Sequence, residues 1–311
     1  MVVNIAQGAR SKLFLKKQTD FDTQASGAFT RLRFNTQSLD DVKGSIESAE
    51  LRGDRNIQDF RHGNRNAAGD ISVELCWGDH WGLIESAMFG QFGTDSVVIG
   101  TAPQYYSIED AQMDIGKYIM YQSMIVNQAS FAIQPNDMVR ATFSLVGKTG
   151  QAPQSTSAAG VVIEPSQNSP YDSFTGSIFL NAPETGTEIA TITGLNFTIN
   201  NGVNPAFALF NQTPQIMEYG AGRVTGTITA YYDDTNASTL IAAFLAETES
   251  TLVVNLQDPD NNPLEFRFPR IKYNGASKPV QNERSRTITL PFIALYDASV
   301  GVATAFKITK T

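Results

Sequence analysis

Asp70 and Glu74 occupy polar positions in an alternating run, Gly69-Asp70-Ile71-Ser72-Val73-Glu74-Leu75. In a strand they would share one face about two pleats apart. Two carboxylates so placed suit acid–base work on a glycosidic bond, but carboxylates on a wet strand face are ordinarily only solvated. Other reactive groups are sparse. His62 and His80 are the only histidines and Cys76 the only cysteine, which falls short of a structural zinc site and rules out an intramolecular disulfide. Asp258, Asp260 and Asn262 match positions 1, 3 and 5 of a calcium loop, yet Pro263 stands where glycine is needed and Pro269 where glutamate is needed. That segment reads as a turn. There is no Gly-x-Ser-x-Gly elbow and no phosphate-cradling glycine run. The expectation is a chain that is no enzyme and carries no cofactor or metal.

The elements that would position these residues occur twice. The Gly69–Leu75 run, followed by Leu83-Ile84, returns as Gly226-Thr227-Ile228-Thr229-Ala230-Tyr231-Tyr232 followed by Leu240-Ile241, displaced by 157 residues in each case. Val139–Phe143 returns as Ile288–Phe292, displaced by 149. Internal repetition governs the choice of fold, and two units are too few for a stacked solenoid. The pattern predicts two β-rich domains in tandem: an N-terminal arm over 1–28, a first repeat over 29–146, a Gly/Ser/Pro-rich linker over 147–170, a second repeat over 171–296 and a tail over 297–311.

Alternation puts Ile71, Val73, Leu75, Ile228 and Ala230 on one face, and Asp70, Ser72, Glu74, Thr227 and Thr229 on the other. The runs 195–200, 139–145 and 287–292 behave alike, so each repeat is expected to have a sheet with one oily and one wet face. A helix follows the repeated strand. Asp79 is placed to cap the first, with Trp81, Ile84, Ala87 and Met88 as its stripe and Gly90 at its end. Thr235 or Asn236 caps the second, with Leu240, Ile241, Phe244 and Leu245 as its stripe. One helix on each oily face gives a mainly β, α+β domain.

Both repeats carry a long insertion before the repeated strand. The first, between Arg52 and Gly69, is charged and includes Arg55, Arg61 and Arg65. The second, from about Gly202 to Gly222, is oily and includes Val203, Phe207, Leu209, Phe210 and Met217. An apolar loop of this size needs a partner or folds back as a lid over its own core. The matched position of the two insertions favours an interface.

The 311 residues are 17% charged and 41% apolar with a net charge of −8, which describes a globular chain without the clustered Lys and Arg that grip nucleic acid. The first residues lack an apolar secretion segment, and no stretch approaches the roughly 20 apolar residues that span a bilayer. Assembly in a cytoplasm, away from membranes, is the expectation.

The stretch Ser45-Ile46-Glu47-Ser48-Ala49-Glu50-Leu51-Arg52-Gly53-Asp54-Arg55, then Gly63 and Ala68 through Leu75, resembles the tail tube proteins of long-tailed, siphovirus-type bacteriophages. So does the plan of polar arm, strand, long loop, strand, helix and further strands over nearly the whole chain. The resemblance implies a structural virion protein with an internally duplicated tube domain, of β-sandwich or half-barrel type. Its sheets would join in a ring to make a large β-barrel channel, and the rings would stack into the hollow tail. Such a tube conducts DNA without binding it, houses a tape-measure protein, and meets a tail terminator and distal tail proteins at its ends. Related rings commonly hold six single-domain subunits, so a doubled chain implies three chains in a pseudo-hexameric ring. Asp70, Ser72, Glu74, Thr227 and Thr229 would line the lumen. Arg55, Arg61, Arg65, Phe207, Leu209 and Phe210 would join ring to ring. Two other readings fit the β-rich pattern: a different virion component, such as a tail terminator or decoration protein, or a tandem β-sandwich glycan-binding module with an aromatic platform of Tyr105, Tyr106, Tyr118 and Tyr121.

Overall fold

A computed structural model describes residues 5–50, 53–180, 187–188, 191–280, 283, 285–298 and 303–310. The chain begins with β1 (Ser11–Lys17), β2 (Phe29–Leu32), β3 (Thr36–Gln37), β4 (Asp40–Glu47), β5 (Phe60–Glu74), α1 (Trp81–Met88), β6 (Ser96–Val98), β7 (Tyr106–Gln112), β8 (Lys117–Ile133) and β9 (Arg140–Gly147). The short β10 (Thr149–Gly150) and β11 (Val162–Ile163) lead into β12 (Gly176–Leu180), β13 (Thr187–Glu188), β14 (Ile192–Asn200), β15 (Asn204–Ala206), β16 (Ile216–Glu218) and β17 (Arg223–Tyr231). Last come α2 (Asp234–Leu245), β18 (Ser250–Gln257), β19 (Pro263–Tyr273), β20 (Thr287–Ala294) and β21 (Lys307–Thr309). The protein is mainly β with two described helices, as the alternating runs predict.

Strand pairing defines a wall in the order β4, β5, β9, β8, β14, β17, β20, every neighbour antiparallel. Each half then folds a second set of strands over the oily side. In the first half the start of β8 pairs with β7, β7 with β1 and β1 with β2. In the second half the start of β19 pairs with β18, β18 with β12 and β12 with β13, while the end of β19 turns to β20. β8 changes partner around Ser123, a buried residue held at φ 56, with its hydroxyl donating to the Phe21 carbonyl. Between these layers lies one buried cluster common to both halves. At its centre Phe197 stacks on Phe131 at 4.8 Å and lies 5.1–5.5 Å from Phe266, Phe268 and Phe306. Offset and edge-on ring packing of this kind adds to the gain from area burial.

The repeated glycine has a steric cause in each half. A Cβ on Gly69, which sits at φ 154, would overlap the Ser38 carbonyl, and one on Gly226 would overlap the Phe292 ring. Both strands therefore let a neighbour approach closer than a side chain permits.

Several expectations need correction. The arm over 1–28 contains β1, whose Leu13-Phe14-Leu15 core is buried between β2 and β7. The linker over 147–170 is laid down on the first half: β11 pairs with β2, Tyr118 pairs with Gln154, and Ala159 is buried. The tail over 297–311 supplies β21, which is zipped between β19 and β6. Asp79 does not cap α1. His80 holds the N-cap position and Asp79 pairs instead with Arg33 at 3.4 Å and the Ser166 amide at 2.7 Å. Leu245 lies off the buried stripe of α2, at 74% exposure. The side chains of Thr235 and Asn236 lie outside the described residues. The later repeat pair is out by two positions. Ile71 faces Phe143 and Ile228 faces Leu290, so the displacement is 147 rather than 149. A two-residue slip preserves the face of every side chain, which is why alternation alone did not reveal it.

Candidate functional site

The wet face of the wall is built from the polar half of each alternating strand. Asp70 is exposed and Ser72, Glu74, Thr227 and Thr229 are half-buried, while Ile71, Val73, Ile228 and Ala230 beneath them are at most 1% exposed. Pairing aligns the small hydroxyl residues in a row, Ser72 beside Thr142, Thr142 beside Ser130, Ser130 beside Thr198 and Thr198 beside Thr225. Two of these contacts are hydroxyl–hydroxyl hydrogen bonds, Ser72 with Thr142 at 3.0 Å and Ser130 with Thr198 at 3.1 Å. Cross-strand pairs of this type hold sheet register. The second of them joins the two halves of the chain. Asp40, Asp70 and Glu74 give this face three carboxylates, and Arg140 and Arg223 bring cations. Asn35 donates to Glu74 at 3.1 Å, and Arg140 is paired with Asp137 at 3.0 Å.

The two insertions converge. Most of the first is strand: β4 and β5 pair outward as far as Glu47 and Phe60, making an exposed two-stranded ribbon. This corrects the expected long loop. A ribbon in water has no buried face to impose alternation, so its sequence reads as loop. The second insertion divides into a base and a tip. Val203 and Met217, joined through the β15–β16 hairpin, bury against Phe89 and Ile125 as a lid, while Leu209 and Phe210 at the tip are 84% and 104% exposed and Phe207 is half-buried. The tip lies beside the ribbon: Phe207, Leu209, Phe210 and Gln212 share an open cleft with Ile46 and His62. Arg55 is exposed near the ribbon end, and Arg61 pairs with Asp59 at 3.1 Å. Arg65, expected to reach across a joint, is instead half-buried and paired with Asp41 of the same chain at 3.6 Å.

The groups weighed for chemistry are used structurally. His80 is fully buried, accepts the Cys76 amide on Nδ1 at 3.2 Å and lies 3.0 Å from the Arg33 carbonyl through Nε2, so the proton sits on Nε2. Burial holds its pKa below the ordinary histidine value. The buried Cys76 thiol is pushed up to about 11, chiefly by desolvation. Asp258 accepts the amides of Asp260 and Asn262 at 3.0 and 2.8 Å, which is the predicted turn. The tyrosines do not form a platform. Tyr106 and Tyr121 are buried, with hydroxyls donating to Glu85 and to the Leu39 carbonyl, and Tyr105 packs edge-on to Phe21. Among the described residues no cluster of three His, Cys, Asp or Glu is arranged to hold a metal ion, and no helix is long and apolar enough to cross a membrane.

A wall hydrated on one side and packed on the other, with an exposed ribbon and an oily loop tip brought together, defines a structural β protein of the assembly-forming class. The family model described as phage tail tube protein matches residues 8–294, and the chain belongs to that family. A comparison with curated proteins finds no match. Membership makes the chain a structural component of the bacteriophage tail that self-assembles into its tube.

Proposed function

We propose that this chain is an internally duplicated tube subunit, three copies of which close a pseudo-hexameric ring, and that the rings stack into the tail's hollow conduit for DNA and tape-measure protein. The observation that carries this reading is the matched pairing of the two halves. β5 lies against β9 as β17 lies against β20, and β1–β7–β8 and β12–β18–β19 cover the oily side in the same order. Each half thus supplies one similar wall segment, and a chain carrying two needs three copies to complete six. The polar face with Asp70, Ser72, Glu74, Thr227 and Thr229 faces the lumen. Hydroxyls and amides keep it wet, and its carboxylates make it non-adhesive to phosphates. The ribbon and the Phe207–Gln212 tip meet the next ring. Assembly proceeds in the host cytoplasm, with terminator and distal tail proteins at the tube ends.

Negative-stain imaging of the purified protein together with native mass spectrometry of single rings tests this. Tubes built of three-chain rings are expected. Rings of six chains would overturn the stoichiometry, and a protein that stays monomeric at all concentrations would overturn the reading as a whole.

A further inference from the structure

The halves of one chain are joined by a strand seam, and the same pairing rules extend that seam to the edges left open at the chain's two ends. Inside the chain, β8 and β14 pair antiparallel with Ser130 opposite Thr198 and Phe131 opposite Phe197. Equivalent residues follow from the ladders. Ile71 faces Gln37 and Ile228 faces Leu195, so Gln37 corresponds to Leu195 and, three residues further on, Asp40 corresponds to Thr198. Asp40 does face Ala68, as Thr198 faces Thr225, and Ala68 and Thr225 are displaced by the same 157 residues as Ile71 and Ile228. At the other end Thr142 corresponds to Thr289, since Ile71 faces Phe143 and Ile228 faces Leu290. Thr142 pairs with Ser130 and Thr289 with Ser277, so Ser277 corresponds to Ser130. The segment 274–280 therefore runs beside β20 as the end of β8 runs beside β9. Among the described residues, no strand pairs with its outer edge or with the outer edge of β3 and β4.

We infer that these two edges belong to one joint between copies: the 275–280 segment of one chain pairs antiparallel with residues 37–42 of the next, Ser277 opposite Asp40. This inference rests on the ring reading above. In that register Lys278 falls opposite Leu39, Ala276 opposite Asp41 and Val280 opposite Gln37.

The main chain is oriented for it. The Ser277 N–H and C=O both engage Thr289, at 2.9 and 2.8 Å, so alternation directs the groups of Ala276 and Lys278 outward. Pro279 falls on the inward-facing set, so its missing N–H removes no donor from the joint. On the opposing edge the Ser38 N–H donates inward to Asp70 at 2.9 Å, which directs the main-chain groups of Leu39 and Asp41 outward; the Leu39 carbonyl accepts the Tyr121 hydroxyl at 2.8 Å and keeps its second lone pair for the joint. Side chains stand in for the missing strand. Gln37 Oε1 accepts the Leu39 N–H and Asp40 Oδ1 the Asp41 N–H, both at 2.8 Å, and Arg286 donates to the Lys278 carbonyl at 2.9 Å. One edge carries the exposed Asp40 carboxylate and the other the exposed Lys278 ammonium, while Asp41 is already held by Arg65 and the Gly150 amide of its own chain. The internal seam has stacked Phe131 and Phe197 where this joint has Lys278 and Leu39. A charged edge keeps unassembled copies from pairing indiscriminately.

Disulfide trapping in assembled tubes tests the register. Asp40 and Ser277 are both exposed, and as an inward-facing pair they would approach at the narrow spacing of about 4.5 Å between Cα atoms that a disulfide accepts. The Asp40→Cys/Ser277→Cys chain should oxidise to a covalent three-chain ring, about ten-fold faster than a Val42→Cys/Ser277→Cys chain displaced by two residues. Hydrogen exchange on the unmodified chain gives a second readout, with the Ala276, Lys278, Leu39 and Asp41 amides slowing on assembly. Tubes on the grid with equal or absent cross-linking and unprotected amides would overturn the register while leaving the tube reading intact. A chain that forms no rings would overturn both.

Discussion

The main-chain N–H of Arg65 donates to the carbonyl of Gln212 at 2.7 Å. One residue lies on the ribbon of the first half, the other at the loop tip of the second. The two insertions, 147 residues apart in the chain at these positions, are thus one surface rather than two. The Arg65 side chain pairs with Asp41 on the adjoining strand β4.

Leu209 and Phe210 are the most exposed of the large apolar side chains described on that surface, and neither supports the chain's own core. Leu209→Ser/Phe210→Ser should leave the melting temperature within a few degrees of the parent and abolish long tubes, leaving single rings by sedimentation. Burial of two such side chains at each joint would contribute about 3–6 kcal/mol in gross transfer terms, reduced by the cost of association. Tubes of normal length from this variant would place stacking elsewhere.

Met217→Ala acts on the other part of the same loop. Its side chain, on the buried side of the lid, is 1% exposed, so truncation should cost about 2–5 kcal/mol of stability, read by denaturant unfolding. Tip and base should therefore separate assembly from folding.

Phe197→Ala removes the ring common to both halves and should cost about 3–5 kcal/mol. Loss of one half's strands ahead of the other in hydrogen exchange would show that the shared cluster is not what couples them.

Asp70→Lys/Glu74→Lys changes side chains that point away from the buried face. Circular dichroism should be unchanged, while assembled tubes should retain DNA on sedimentation at low salt and release it as salt rises. Tubes that never retain DNA would place this face outside the lumen.

His80 sets a pH dependence whose sign follows from burial. Its pKa is lowered in the folded chain, so the unfolded chain binds the additional proton. The stabilisation is whole above the ordinary histidine value of about 6.5 and is lost as pH falls from there toward the folded value, with a limiting slope of about 1.4 kcal/mol per pH unit. Urea unfolding at pH 7.5 and pH 5.5 should show this fall, and a His80→Gln chain should show a shallower one.

Strands that lie in the wall were legible because one oily and one wet face stamp a period of two on β5, β9, β14, β17 and β20. The helices were legible from their stripes. What escaped lies where that stamp is missing. β1 is buried on both sides by Leu13, Phe14 and Leu15 and so shows a run rather than an alternation. The ribbon at 60–66 is wet on both sides. β10, β11 and β21 are two or three residues long and owe their state to distant partners. The oily second insertion was visible as such, but only the fold divides it, since Met217 and Phe210 differ in surroundings and not in type.

The seam between β8 and β14 is closed within a single polypeptide. In the proposed ring every second seam is therefore formed within one chain, without any encounter between molecules. Ring formation then depends on the third power of protein concentration rather than the sixth, and dilution can open only alternate seams. Partly built rings accordingly come in steps of two wall segments, so a lone unmatched segment never arises as an assembly error.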